Sequence, residues 1–256
     1  MSLVYCILAS GSKGNAIYLK AGRTAVLVDC GISARQALLR LEAAGLDAGG
    51  IKAILLTHEH QDHVNGVRVL ASRLKCPVLA TPATWQALGG LDSVRYEPFD
   101  AGSQFALGEL GIRPFSLSHD AADPVGLVLS AGQARLGLAT DLGQVTRLVL
   151  ARLTGCQALI VESNHDPDLL ATGPYQQWLK QRVRSSQGHL SNQQGAELLR
   201  RVQHTELQQV ALAHLSVVNN RPELARNACQ EALQGDGCRA LLHVACQDRP
   251  SEVFEI

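Results

Sequence analysis

Seven consecutive residues, Thr57-His58-Glu59-His60-Gln61-Asp62-His63, constrain this chain more than any other feature. They place three imidazoles and the Asp62 carboxylate within six positions, almost directly after the apolar run Ala53-Ile54-Leu55-Leu56. A short apolar run of this kind reads as a buried strand. The fold must therefore end a strand near Leu56 and present the ligands from the loop that follows. His58 and His60 are two apart and can face the same way, as alternate residues of an extended chain do. Asp62 and His63 fall where a helix over Val64–Leu74 is predicted to begin. Two pairs of ligands so placed can point at two neighbouring metal ions. Neutral imidazole with carboxylate suits zinc, iron or manganese, and a motif without thiolates argues against a purely structural zinc site.

The rest of the chain alternates between strand-like and helix-like runs. Strands are predicted at Val4–Ala9, Ala16–Lys20, Ala25–Asp29, Val78–Ala80, Gln104–Leu107 and Ile112–Leu117, with helices over Ala34–Ala44 and Ala83–Leu88. After His119 a similar order begins again. Strands at Val125–Ser130 and Arg135–Ala139 precede a helix over Gln144–Leu153 and a strand at Ala158–Glu162. Helices over Tyr175–Arg184 and Gln193–His204 then frame strands Gln209–Ala213 and Ala240–Val244. This interleaving gives the α/β class. The expectation is one domain over residues 1–256, in two similar halves of about 1–120 and 121–256, with two sheets face to face and helices outside. A chain of 256 residues is long enough for such a shared core.

Composition narrows the function classes. A formal net charge of zero provides no global field toward nucleic acid or membrane, so any such binding needs a local patch. Seven cysteines, an odd number without a C-x-x-C pair, read as reduced buried thiols of a cytoplasmic protein. Met1–Ser10 lacks the basic start and the length of a signal peptide, and no run approaches the roughly 18 apolar residues of a membrane helix. A membrane partner is not expected.

Three later residues also end apolar strands. His119 follows Ile112–Leu117, Asp141 follows Leu136–Ala139, and His214 follows Val210–Ala213. A loop can turn each toward one shared sheet edge. A lone strand-end histidine is more often a cap than a ligand, but with the His58 cluster already present these three complete a two-metal site. Asp29 ends Ala25–Val28 in the same manner and is read as a carboxylate accepting hydrogen bonds from the ligand loop.

Together the seven ligand residues resemble the metallo-β-lactamase superfamily, and that resemblance implies an αββα four-layer sandwich. It also implies His58, His60 and His119 on one metal, Asp62, His63 and His214 on a second, and Asp141 bridging. In such centres two ions about 3.5–4 Å apart share a water whose pKa falls toward roughly 7, and the resulting hydroxide is the nucleophile. The ions then stabilise the charge developing on the substrate oxygen. Asp62 is counted among the catalytic residues on this basis.

Sequence outside the ligands selects a branch. Val161-Glu162-Ser163-Asn164 and Gly188-His189-Leu190-Ser191 resemble the phosphodiesterase branch that includes RNase Z. There the histidine protonates the departing oxygen and the glutamate orients it, so the resemblance gives those roles to His189 and Glu162. Such an acid contributes about 10²–10⁴-fold. Ala9–Asn15, Leu27–Gly31, Ser118–Pro124, Glu162–Asp166, Gly188–Asn192 and His214–Asn220 are similar to the YycJ/WalJ family of bacterial proteins. That similarity implies a cytoplasmic metal-dependent nuclease with 5′→3′ exonuclease activity on DNA. Only 22 residues separate His119 from Asp141, too few for the long tRNA-gripping arm of RNase Z. The 73 residues from Asp141 to His214 are too few for the extra domain of the β-CASP nucleases.

Other residues are candidates for substrate contact. Ser10, Ser12 and Asn15 lie in a small-residue turn whose N–H groups can cradle a phosphate. Asn164, His165, Ser216, Asn219 and Asn220 adjoin ligand or acid positions. Lys180, Arg182, Arg184, Arg200 and Arg201 form the clearest basic cluster, although a solvated helix face is the plainer reading. Trp85 and Trp178 are read as packing residues, and 4% aromatics disfavours a stacking platform for single strands. The expectation is thus a phosphodiesterase with two divalent ions (zinc, manganese or iron) and a nucleic acid substrate, DNA first. The rival is a small-molecule hydrolase of thioesters, lactones or β-lactams, which has little need of His189. A metal-stabilised binding protein has no need of an acid at all.

Overall fold

Strands that are apolar on both faces need cover on both faces, and this requirement organises the molecule. In the computed structural model, which describes residues 1–91, 93–235 and 237–256, two seven-stranded sheets pack face to face. The chain opens with strands β1 (Leu3–Ala9), β2 (Ala16–Ala21) and β3 (Thr24–Val28) and helix α1 (Ala34–Ala43). It continues through β4 (Ile51–Leu55), α2 (Gln61–Val64), α3 (Val67–Leu74), β5 (Val78–Ala80), α4 (Pro82–Ala87) and β6 (Tyr96–Pro98). Next come β7 (Phe105–Leu107), β8 (Leu110–Ser116), β9 (Val125–Ala131), β10 (Ala134–Ala139), α5 (Arg147–Leu153) and β11 (Ala158–Glu162). Then follow α6 (Pro167–Thr172), α7 (Gln177–Arg184), α8 (Asn192–Val202), β12 (Gln209–Ala213), α9 (Pro222–Ala232), β13 (Leu241–Val244) and β14 (Phe254–Glu255).

The first sheet has the order β14-β1-β2-β3-β4-β5-β6, and the second β13-β12-β11-β10-β9-β8-β7. Both follow one plan. β1, β2 and β3 pair antiparallel and β3 to β6 parallel, while β8, β9 and β10 pair antiparallel and β10 to β13 parallel. The chain changes sheet between β6 and β7, so β7 and β8, ahead of residue 120, already belong to the second sheet.

Alternation along the strands fills three apolar layers. Leu3, Tyr5 and Ile7 of β1 and Val26 and Val28 of β3 face Ile112, Leu127, Leu129 and Leu138 across the central core. The intervening Cys6, Leu8 and Leu27 face outward beneath Leu41, Val67 and Leu70 of α1 and α3. On the far side Leu159, Val161 and Leu212 lie beneath Leu153, Leu198 and Cys229 of α5, α8 and α9. The result is the expected αββα sandwich. Each fully buried aliphatic side chain stabilises it by about 1.5–3 kcal/mol. Tyr5 adds a polar tie, donating its hydroxyl to Gln209 Oε1 at 2.8 Å and so linking β1 to β12. Among the described residues no helix is long and apolar enough to cross a membrane.

Several elements differ from expectation. The helix predicted over Val64–Leu74 is broken into α2 and α3 at Asn65-Gly66. α6 and α9 are additional, and each carries proline at its first turn, after Asp166 and Arg221, a start signal that periodicity alone passes over. β6 and β14 are too short to show alternation. Trp85 stacks on Tyr96 with ring centroids 4.3 Å apart, but Trp178 is 63% exposed and packs little.

Candidate metal centre

β3 and β4 end side by side, and the residues that follow them interlock. Asp29, with φ 58°, turns its carboxylate back onto the ligand loop. Its Oδ1 accepts the Thr57 N–H at 2.9 Å, and its Oδ2 accepts the Thr57 hydroxyl at 2.7 Å and lies 2.8 Å from His63 Nδ1. Backbone bonds complete the join: Cys30 N–H donates to His63 O at 2.8 Å, and Asn15 N–H to Asp62 O at 2.7 Å. Two glycines make the approach possible. A Cβ on Gly31 would stand 1.6 Å from the Asp62 carbonyl oxygen, and one on Gly66 would stand 2.1 Å from the Ile32 carbonyl oxygen. The same intrusion of residues 30–34 breaks the expected helix at Gly66, whose N–H donates to Cys30 O.

The second sheet supplies candidate ligands one at a time. His119 follows β8, Asp141 follows β10 and His214 follows β12. Asp141 (φ 61°) and His214 (φ 56°) both adopt the left-handed region, which costs a non-glycine residue roughly 1–2 kcal/mol. A buried carboxylate between them, Glu162 at the end of β11, compensates with hydrogen bonds. Glu162 Oε1 accepts from His189 Nδ1 and His214 Nδ1, both at 2.9 Å, and from Asp141 N–H at 3.3 Å. Oε2 accepts the Leu190 N–H at 2.9 Å and the Leu142 N–H at 3.3 Å. Burial pushes the Glu162 carboxyl up, but His189 and His214 overturn this and hold its pKa at about 2.

The candidate ligand atoms converge in groups that could each hold a metal ion. His58, His60 and His119 bring ring nitrogens within 4.8 Å of one another, as do Asp62, His63 and His214 with a carboxylate oxygen, and Asp141 joins His58 and His63. His58 Nε2, His119 Nε2 and Asp141 Oδ2 are buried without a well-formed hydrogen bond among the described residues, the last two having only contacts of 3.4 Å to Asp120 and 3.3 Å to His63 Nε2, an arrangement that native proteins avoid unless something else satisfies it. Where the other ring nitrogen is held, the holder is clear: Asp29 for His63, the Gly188 carbonyl at 3.0 Å for His119, and Glu162 for His214. This leaves the Nε2 atoms facing inward, as in metal sites whose histidines are oriented from behind. The Asn15 amide stands 3.0 Å from His63 Nε2 and 3.4 Å from Asp62 Oδ2, bridging two ligands of one group. Glu162 also lies near Asp141, His189 and His214, but both its oxygens are already occupied by donors, so it acts as a brace.

Charge is distributed unevenly over the donors. Burial, then the neighbouring His63, holds the His58 imidazole well below its ordinary pKa, and burial also lowers His119. Burial works against the His63 imidazolium too, but Asp141 and Asp29 lift its pKa to about 10. His214 is raised well above its usual value by Asp141, Asp62 and Glu162 against the same burial. Asp141 is held far below the carboxylate range, with His214 and His63 outweighing burial.

A cleft of about 230 Å³ opens onto His60, Asp62, Asp141, His214 and His189. Tyr175, Leu179 and Arg182, on or beside α7, form its opposite wall, and Ser12, Asn164 and Ser216 also line it. Arg182 is held by a bond from its Nε to Asp120, the residue after candidate ligand His119. The other proposed contact residues are placed differently. Ser10 is buried, its hydroxyl accepting the His214 N–H at 2.7 Å. Asn15 Oδ1 accepts the Gly11 N–H at 2.8 Å. Asn219 N–H donates to Ser216 Oγ, and Asn220 bonds to the Ser163 and Asn164 carbonyls. His165 is buried away from the cleft, with Nδ1 unpartnered and a pKa pushed down to about 4 by burial. Of the basic cluster, Arg182 alone lines the cleft, while Lys180 donates to Ala171 O and Arg200 pairs with Glu197. Glu59, inside the motif, accepts the Ala122 N–H at 2.8 Å and ties the ligand loop to the segment around His119. Its position between two ligand histidines was the available signal. Tyr175 and Leu179 carried none.

Comparison with known proteins agrees with this geometry. Residues 24–214 match the family described as beta-lactamase superfamily domain. Exodeoxyribonuclease YycJ of Bacillus anthracis is 35% identical over 93% of this chain and 91% of its own length. Exodeoxyribonuclease WalJ of Streptococcus pneumoniae is 37% identical over 98% of this chain and 97% of its own. Among solved structures, the metallo-beta-lactamase fold protein YhfI from Bacillus subtilis superposes over 100% of both chains with a TM-score of 0.77 at 16% identity. The short form of human tRNase Z covers 85% of this chain and 93% of its own with a TM-score of 0.61 at 17% identity. These two show the fold.

Proposed function

This chain belongs to the metallo-β-lactamase superfamily, and from that premise we propose that it is a binuclear metal-dependent phosphodiesterase that degrades DNA from the 5′ end. The observation that carries the reading is His189. Its Nδ1 is bonded to the buried Glu162 carboxylate and its ring lines the cleft beside Asp62, Asp141 and His214. A carboxylate accepting from Nδ1 orients the ring, and in the imidazolium form the Nε2–H is left to pass its proton to the departing oxygen. An alkoxide leaving a phosphodiester is basic, so a placed acid matters there far more than for a thioester or β-lactam. The names of the full-length relatives, exodeoxyribonucleases in both cases, support DNA as the polymer.

His58, His60 and His119 would hold one divalent ion and Asp62, His63 and His214 a second, with Asp141 between them. When bound, such ions supply Lewis acidity toward the phosphate and an activated water. The chain's own residues do the rest. Asp29 and Glu162 orient the imidazoles from behind. Arg182, steadied by Asp120, offers its remaining guanidinium N–H groups to a phosphate oxygen, and Ser12, Asn164 and Ser216 offer neutral donors. A DNA substrate also suits the cytoplasmic location expected from the free thiols.

The test is cleavage of duplex DNA labelled separately at each end, carrying a 5′-phosphate, with added Mn²⁺ or Zn²⁺. Stepwise loss from the 5′ end that vanishes in Asp62→Ala is the expected result. His189→Ala should lower kcat by about 10²-fold or more. A metal-loaded protein that leaves DNA intact but cleaves thioesters without needing His189 would establish the small-molecule rival.

A further inference from the structure

A second and larger cavity adjoins the metal cleft. It encloses about 710 Å³, and Ser216 lines both spaces. Ser10, bonded to the N–H of ligand His214, also lines the larger one, so the partition is built at the ends of β1 and β12. The turn 10–15 forms the rest of the partition, with Ser12 on the metal side and Gln247 on the other. Gln247 clamps this turn. Its Oε1 accepts the Lys13 N–H at 2.8 Å, and its Nε2 donates to Gly14 O at 2.9 Å. A Cβ on Gly11 would lie 2.7 Å from the same Oε1. Arg40 then fixes the Gln247 backbone, donating to its carbonyl and to that of Leu8, both at 2.9 Å. The wall between the two spaces is therefore preformed, which lowers the ordering cost of any ligand that spans it.

The lining of the larger cavity has two chemistries. Leu215, Val217, Pro222 and Ala245 give it apolar surface, and Val217 is 57% exposed. Arg221 and Arg249 give it guanidinium groups, and among the described residues neither forms an ion pair, whereas Arg95, Arg182 and Arg200 do. Glu223 and Asp248 also line the space, and Asp248 acts electrostatically on Arg40. Apolar surface beside two unpaired guanidiniums, one residue from a phosphodiester-cleaving cleft, suits a nucleotide. Its base and sugar have apolar faces, and its far phosphate is a dianion with three acceptor oxygens that arginine can grip in bidentate fashion. The volume lies within the ordinary range for small-ligand sites.

We propose that this cavity holds the terminal nucleotide of the strand, with base and sugar over Val217 and Pro222 and the 5′-phosphate on Arg221 and Arg249. The proposal rests on the phosphodiesterase reading of the adjoining cleft. It gives that cleft a ruler: the strand end is anchored in one space while the first internal phosphate reaches the other across Ser216.

The experiment measures binding of two phosphorothioate-linked trinucleotides, one with a 5′-phosphate and one with a 5′-hydroxyl, to the metal-loaded full chain by calorimetry. Hydrolysis of bis(p-nitrophenyl) phosphate by the same wild-type protein, with Asp62→Ala as its control, reads the metal cleft alone. The wild type should bind the phosphorylated end about tenfold more tightly. Arg249→Gln should shrink that preference, and Arg221→Gln/Arg249→Gln should abolish it. If the ester is hydrolysed but both trinucleotides bind alike, or if the double variant keeps the preference, the cavity assignment falls and the phosphodiesterase reading stands. An arginine-dependent preference in a protein that hydrolyses neither the ester nor DNA would keep the cavity as a strand-end site and retire the phosphodiesterase reading.

Discussion

Four of the seven candidate ligands come from one loop of the first sheet, and the other three from separate strand ends of the second. The loop is held mainly by backbone: Asp62 and His63 give their carbonyls to Asn15 and Cys30, and Gly31 lets that contact close. The scattered ligands are held mainly by side chains, with Glu162 touching His214 and Asp141 directly. Two of the three also carry left-handed strain, whereas on the first sheet the strain sits on Asp29, which only supports. A compact motif can thus be fixed by chain packing alone. A dispersed one needs a buried charge to draw it together, and hydrogen bonds to that charge, about 1.5–3 kcal/mol each, offset the strain.

The largest expected effect attacks the backbone side. Gly31→Val places atoms inside the Asp62 carbonyl and should cost about 4 kcal/mol in urea unfolding, with loss of metal binding. A near-neutral result would mean that the loop is not held as described. Next comes the contrast between the two carboxylates. Asp29→Asn should weaken metal affinity by about 10–100-fold yet leave kcat at saturating metal nearly intact. Glu162→Gln should weaken affinity similarly and also lower kcat by about 10²-fold, because His189 depends on it as well. Equal behaviour of the two variants would erase the distinction drawn between the sheets.

Protonation sharpens it further. In the metal-free protein His63, with its pKa lifted to about 10, holds a proton at pH 7.5 that it must give up to a metal, and His214 is shifted in the same direction. Calorimetry in buffers of different ionisation enthalpy should therefore report proton release on zinc loading, with affinity falling as pH falls. Asp29→Asn and Glu162→Gln should each reduce that release, since each removes one of the carboxylates that favour the imidazolium. The smallest effect concerns His165, whose pKa is depressed to about 4 by burial. Its neutral form is the folded one, so its contribution is complete above about 6.5 and is lost as pH falls toward 4. At pH 5.5 the loss should be roughly 1.4 kcal/mol, and His165→Asn should flatten that limb of the stability curve.

Much of this was legible in the sequence because it is local. Short apolar runs announced the strands, and the spacing of His58, His60, Asp62 and His63 announced a ligand loop. His119, Asp141 and His214 could be picked out because each follows an apolar run, although only the fold brings them within reach of the loop. The link from Glu162 to His214 spans 52 residues and left no local trace. Nor did the clamp of Gln247 on the turn 10–15, for the same reason. Ser10 and Asn15 showed donor chemistry in sequence, but whether a donor faces substrate or its own loop is decided by packing. The break at Gly66 was hidden because helical periodicity continues through it, while the obstacle, the Ile32 carbonyl, comes from elsewhere in the chain.

The contact between Gly31 and the Asp62 carbonyl has a consequence for transplantation. Grafting His58–His63 onto another protein would carry the side chains but not the surface that gives them direction. The recipient would also need an aspartate on the adjoining strand, a glycine two residues beyond it, and another glycine where the following helix must yield. The smallest unit that can be moved intact is therefore not the six-residue motif but the stretch from Asn15 to Gly66.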